Sequence, residues 1–179
     1  MANEILTKMG TPICWADTTD YSSTGSGITR THQLDLTSVA DTEAREGAKA
    51  DLGATWAARH AVAVGIEFDV APTAGEVVEI YWASSYSATA GTGNTGGASG
   101  SDGDYKNGEE AEWVKQLILI GCLVCTNDAA TTVQRQTFIF SPPTRYGMPV
   151  VLNNGGQAFE GDAVEMYVAL IPLIDEVQD

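Results

Sequence analysis

Basic residues are scarce in this chain. Nine Lys and Arg stand against 24 Asp and Glu, giving a formal net charge of −15 and an isoelectric point near 4.2. A surface of that sign repels phosphate backbones and anionic lipid, which argues against nucleic acid and membrane surfaces as partners. Long apolar runs are missing as well. The longest, Leu117 to Cys125, has nine residues, where a membrane-spanning helix needs about 20. The opening Met1-Ala2-Asn3-Glu4-Ile5-Leu6-Thr7-Lys8 has no basic stretch leading into an apolar one, so no secretory signal is expected. Three cysteines, Cys14, Cys122 and Cys125, are odd in number and make no disulfide framework. Reduced thiols are expected, two of them buried. What remains is 179 residues, 44% of them hydrophobic, enough for one domain around one core and too apolar for wholesale disorder.

Catalytic signatures are thin. The chain has no G-x-S-x-G, no H-E-x-x-H and no P-loop, and its two histidines, His32 and His60, read as strand-face residues. Gly91-Thr92-Gly93-Asn94-Thr95-Gly96 matches the dinucleotide pattern by letter. That pattern works only where its glycines open a helix within a βαβ unit, and here they lead into more Gly and Ser. Cys122-Leu123-Val124-Cys125 is a lone CxxC, and residues three apart on a strand point to opposite faces, so it is read as core rather than a zinc site. Asp102 to Glu110 is acidic but lacks the spacing and flanking helices of a calcium loop; it reads as a solvated charge cluster. Non-enzymatic work, with no catalytic residue, cofactor or metal, is the expectation.

The dominant period is two. Val62, Val64, Ile66, Phe68 and Val70 alternate with smaller or polar residues, as do Val78, Ile80 and Trp82 after the Pro72–Gly75 turn. Ile28 to Leu36 alternates too, with Ile28, Arg30, His32, Leu34 and Leu36 on one face. Leu117 to Cys125 reads as a strand buried on both faces, followed across Asn127-Asp128 by Val133 to Phe140. Pro142-Pro143 stops that strand, Met148 to Leu152 follows, and Asn153-Asn154-Gly155-Gly156 is a hairpin signal. Val164, Met166, Val168 and Leu170 form the last strand. Residues 39–56 fit either a short helix or a loop into a strand near Ala48–Leu52. Seven or eight strands with no amphipathic crossovers predict an all-β protein: a single antiparallel β-sandwich over residues 28–179, with a jelly roll preferred.

Two segments break the rhythm. Residues 1–27 carry Ile5, Leu6, Met9, Ile13 and Trp15 ahead of a polar stretch, and read as a frayed terminus or an arm that orders against a neighbouring subunit. Between Ala83 and Trp113 lies a Gly/Ser-rich loop with the composition of a mobile linker; ordered docking against a neighbour is the alternative.

Several blocks carry a resemblance. They are Asp51-Leu52-Gly53-Ala54-Thr55, Ile66 through Gly75, Glu79-Ile80-Tyr81-Trp82-Ala83, Asn153 through Phe159, Asp162-Ala163-Val164-Glu165 and Pro172 through Val177. Over residues 45–179 the chain resembles small structural proteins of tailed-bacteriophage virions. The resemblance implies a capsid decoration (cement) protein with a jelly-roll body, made in the bacterial host cytoplasm and carried in the virion. Its partners would be the major capsid protein or other virion proteins, and copies of itself, a trimer before other orders. Ile171, Leu173 and Ile174, with Ile5, Leu6, Met9, Ile13 and Trp15, are the candidate subunit-interface residues. The alternative is a tail-associated or receptor-binding module that stacks carbohydrate on Tyr21, Tyr81, Trp82, Tyr86 or Tyr105.

Overall fold

The computed structural model describes residues 4–178. Its core is set by the two alternating segments. Strands β6 (Arg59–Ile66) and β7 (Val77–Ser85) aim Val62, Val64 and Ile66 at Val78, Ile80 and Trp82, all essentially without solvent contact. Phe68 continues the inward series just past β6, but Val70 lies in the following turn and is half-exposed.

The described strands form two six-stranded sheets packed face to face. The first runs β10 (Gln134–Phe140), β6, β12 (Tyr167–Gln178), β2 (Ile13–Ala16), β3 (His32–Gln33), and β1 (Glu4–Met9) lies further along the same edge of β12 as β2. The second runs β8 (Gly103–Asp104), β4 (Ala44–Glu46), β11 (Tyr146–Asn154), β7, β9 (Ile118–Val124), with β5 (Ala50–Asp51) also on β11. Eight strands pair first with last: β2 with β12, β4 with β11, β6 with β10, β7 with β9. Every pairing is antiparallel except the short β2–β3 contact. The only α-helix among the described residues is the single turn α1 (Glu110–Trp113).

Between the sheets, Trp15 and Trp82 meet edge-on with ring centroids 5.8 Å apart, and Trp82 also faces Phe140 at 5.7 Å. Such pairs add about 0.5–1.5 kcal/mol to the burial of the rings. Trp15 therefore belongs to the sandwich, and the boundary expected at residue 27 falls inside the domain. Residues 17–31 are not a frayed stretch either. They fold over the outer face of the first sheet, where Tyr21 and Ile28 cover Cys14, Ala16, Tyr167 and Ala169.

The second sheet is covered in the same manner. The Gly/Ser-rich loop and the segment after it return across its outer face, packing Ala98, Tyr105 and Val114 on Met148, Val150 and Leu152. The loop is thus ordered against its own chain, contrary to the mobile linker its composition suggests.

Four further expectations are corrected. The alternation over 28–36 yields only the two-residue β3, because the chain then crosses toward the second sheet; Leu34 and Leu36 are buried as plugs rather than ladder residues. β9 is an edge strand with Ile118, Leu119 and Val124 exposed, not a strand buried on both faces. The Asn153–Gly156 turn is real, with Gly156 at φ 77°, but it leads across to the other sheet instead of closing a hairpin. The last strand starts at Tyr167, since residues 164–165 form a turn.

Candidate functional site

At one end of the first sheet β1 and the distal half of β12 leave the sandwich together. β6 stops at Arg59, opposite Leu173, so residues 174–178 pair with β1 alone. Residues 5–9 are all exposed, and the other edge of β1 has no partner among the described residues. A two-stranded ribbon without a covered face is marginal in water. This one also displays apolar side chains. Ile5 and Met9 are 69% and 71% exposed, and Leu6 and Ile174 are 43% and 44%.

The register sorts these side chains. Opposed residues in an antiparallel pair share a face. Ile5, Thr7 and Met9 therefore lie with Leu173 and Asp175 on one face, and Leu6 and Lys8 with Ile174 and Glu176 on the other. The first of these faces continues onto the outer surface of the sheet. Leu173 follows Ile171, Ile171 is opposite Ala61, and Ala61 is opposite Ile139, which is 64% exposed. The result is a row of apolar side chains, Ile139, the half-buried Ile171 and Leu173, then Met9 and Ile5, broken at its end by the Thr7–Asp175 pair and Arg59. Clustered exposed apolar side chains of this kind are a feature of interaction surfaces, unlike singly scattered ones.

Two of the ribbon's carboxylates are paired with cations. Arg59 pairs with Asp175 at 3.3 Å and Lys8 with Glu176 at 3.6 Å. Pairs this exposed contribute little stability, but they leave the ribbon less acidic than the molecule as a whole.

The structure thus brings together Ile5, Leu6, Met9, Ile171, Leu173 and Ile174 of the expected interface residues. It places the other two in β2. Trp15 is fully buried, its indole N–H donating to the Ala48 carbonyl at 2.6 Å, and Ile13 is half-buried against the same core. Trp15 has no free face to offer a partner, whereas Ile13 keeps part of its surface, as Ile171 and Leu173 do. Ile139 was missed because its neighbours Phe138 and Phe140 dominate the segment; their inward phase is the signal that turns Ile139 outward.

A second organised feature is the loop after β7. The Lys49 ammonium sits inside it, donating to Ser85 Oγ at 2.8 Å and to the carbonyls of Ser87, Thr89 and Thr92 at 3.1, 2.7 and 3.0 Å. Glu46, buried beneath, takes the Ser99 N–H on both carboxylate oxygens, and the Tyr105 hydroxyl donates to the Gly96 carbonyl at 2.7 Å. Partial burial holds the Lys49 ammonium below its ordinary pKa, and burial pushes the Glu46 carboxyl up. These contacts replace the cohesion that a Gly/Ser sequence lacks.

Most of the remaining polar groups are engaged in the fold; His60 Nδ1, Trp82 Nε1 and Ser84 Oγ are among the buried atoms without a hydrogen-bond partner. Asp102 and Asp104 of the acidic cluster bind Arg45 at 3.4 and 2.8 Å. Among the described residues no group of His, Cys, Asp and Glu has a metal-holding arrangement. His32 Nδ1 is 2.9 Å from the Thr31 hydroxyl, and His60 is buried on the core side of β6, where burial lowers its pKa. Cys14 and Cys125 are buried and Cys122 is half-buried, and burial pushes the Cys14 and Cys125 thiols up to about 11. Depressions of about 460 and 470 Å³ are rimmed by Asp41, Glu76 and Glu79 and by Glu109, Glu110 and Glu112. The aromatic residues do not gather into a stacking platform: Trp82 and Tyr105 are buried, Tyr21 and Tyr81 are half-buried and hydrogen-bonded, and Tyr86 alone is largely exposed. Set against family models, curated proteins and solved structures, the chain finds no match.

Proposed function

We propose that this chain is a non-enzymatic virion subunit of a tailed bacteriophage, a capsid decoration protein that docks through the β1–β12 ribbon. The observation that carries the reading is the ribbon itself: a strand pair exposed on both faces, with apolar side chains and two of its carboxylates paired, on an otherwise strongly acidic protein. Such an element gains from burial against a neighbour what it lacks in isolation. The first-with-last pairing of eight strands supports a jelly-roll body for the sandwich. The resemblance of its sequence blocks to phage structural proteins suggests the setting. Cosedimentation tests it. Shells of the accompanying major capsid protein should carry the chain into the pellet, and Ile5→Asp with Met9→Asp should leave it in the supernatant. A wild-type chain that stays in the supernatant would overturn the proposal.

Tyr86 favours a second reading. It is 80% exposed beside the Lys49-held loop, a rigid platform of the kind that presents an aromatic to a sugar ring. Glycan-array binding abolished by Tyr86→Ala would select this reading over the first.

A further inference from the structure

The free edge of β1 is self-complementary, and we infer that it pairs antiparallel with β1 of a second copy about a two-fold axis centred on Leu6. The inference rests on the reading of the ribbon as a docking element but not on where the assembly is used.

An unpaired edge with exposed apolar residues is a template for another strand. Two-fold pairing of a strand with itself keeps each residue on its own face, so only registers that oppose residues an even number apart are allowed. In the register centred on Leu6, Leu6 meets its own copy and Ile5 meets Thr7. Acidic position 4 meets basic position 8, and by symmetry this happens twice. Opposed unlike charges stabilise an antiparallel pair and like charges destabilise it. The two neighbouring allowed registers, centred on Thr7 and on Ile5, oppose Leu6 to Lys8 and to position 4 respectively, and neither gains such a pair.

The other open edge of the ribbon discriminates. Residues 174–178 of β12 also lack a second neighbour among those described. Centred on Glu176, that edge sets Glu176 against its own copy; centred on Asp175, it sets Asp175 against its own copy. In a chain of net charge −15, a second copy is repelled there and attracted at β1. Pairing at β1 would make one continuous sheet of the two copies and join their apolar rows through Ile5 and Met9. The contact is two-fold, where the sequence resemblance implies a trimer.

Sedimentation equilibrium of the full chain tests this, with Glu4→Lys, Lys8→Glu and an equimolar mixture of the two variants. Wild type should be a dimer. Each variant opposes like charges twice and should dissociate roughly ten- to thirtyfold more readily. The mixture should regain wild-type affinity, because the two basic positions of one variant then face the two acidic positions of the other. Recovery in the mixture also excludes misfolding as the cause of the losses. The inference is overturned by a wild-type monomer, by a trimer or a growing filament, by variants that associate as wild type does, or by a mixture without recovery. A wild-type monomer that still binds capsid shells would sink the self-pairing and leave the docking role standing.

Discussion

The ring of Phe138 lies across the bare Cα of Gly121, so close that a Cβ at Gly121 would fall 2.3 Å from the Phe138 Cδ1. These two residues belong to β10 and β9, the edge strands of opposite sheets, and their contact closes one side of the sandwich. Val124 N–H, donating to the Gln136 side chain at 3.3 Å, is a second tie between the same strands. Gly121→Ala should therefore force the ring or the strand to move and cost about 1–3 kcal/mol, as overpacking does. Urea unfolding followed by tryptophan fluorescence measures it, and an unchanged midpoint would show that the seam is soft.

Lys49 orders a loop that its own composition leaves free. Replacing it by Met removes four charge-assisted hydrogen bonds and leaves the alkyl stem. The expected loss is about 1–3 kcal/mol, felt chiefly as faster amide exchange over residues 85–100. Exchange in β6 and β7 should be unaltered. Uniformly faster exchange would mean that the loop and sandwich unfold together.

Glu67 gives the protein an unusual pH dependence. Burial, then the nearby carboxylates of Glu165, Glu160 and Asp162, push its carboxyl up to about 7, against a smaller opposing pull from Arg135. An acid whose folded pKa lies above its unfolded one weakens the fold as pH rises between the two values. Over about pH 4.5 to 7 the unfolded chain ionises here while the folded chain resists. Glu67→Gln should remove this slope, gaining on the order of 2 kcal/mol over wild type at pH 8 and little at pH 4. Denaturation midpoints at those two pH values decide it. Equal effects of the substitution at both would assign the gain to packing.

The sequence is a good guide wherever one face of a strand is dry and the other is not. Val62–Ile66 and Val78–Trp82 alternate because their partners lie across a single interface, and both are strands with the expected side inward. Leu117–Cys125 misleads because an apolar run looks the same whether its own chain covers it or leaves it at an edge. Residues 13–31 mislead for the opposite reason: their polar letters conceal Trp15, which is held by Ala48, and Tyr21, which covers Tyr167. The Gly/Ser loop owes its order to Lys49 and Glu46, which no local pattern connects to it. At the ribbon, Ile5, Leu6, Met9 and Ile174 stand out as apolar residues without a local home. Ile139 does not, because only the sheet register aligns it with Ile171.

The location of Trp15 also fixes how the docking surface is best probed, since cutting at residue 27 would remove β2 from the core whereas substitutions in β1 leave the sandwich whole. Light scattering of the full chain beside Ile5→Asp with Met9→Asp is the most direct test that the ribbon is the contact surface. The wild type should scatter as a particle heavier than its 18.9 kDa chain, and the doubly substituted protein, with its sandwich intact by circular dichroism, as a single chain. A doubly substituted protein as heavy as an oligomeric wild type would contradict the account, and a wild type of single-chain mass would sink the self-pairing.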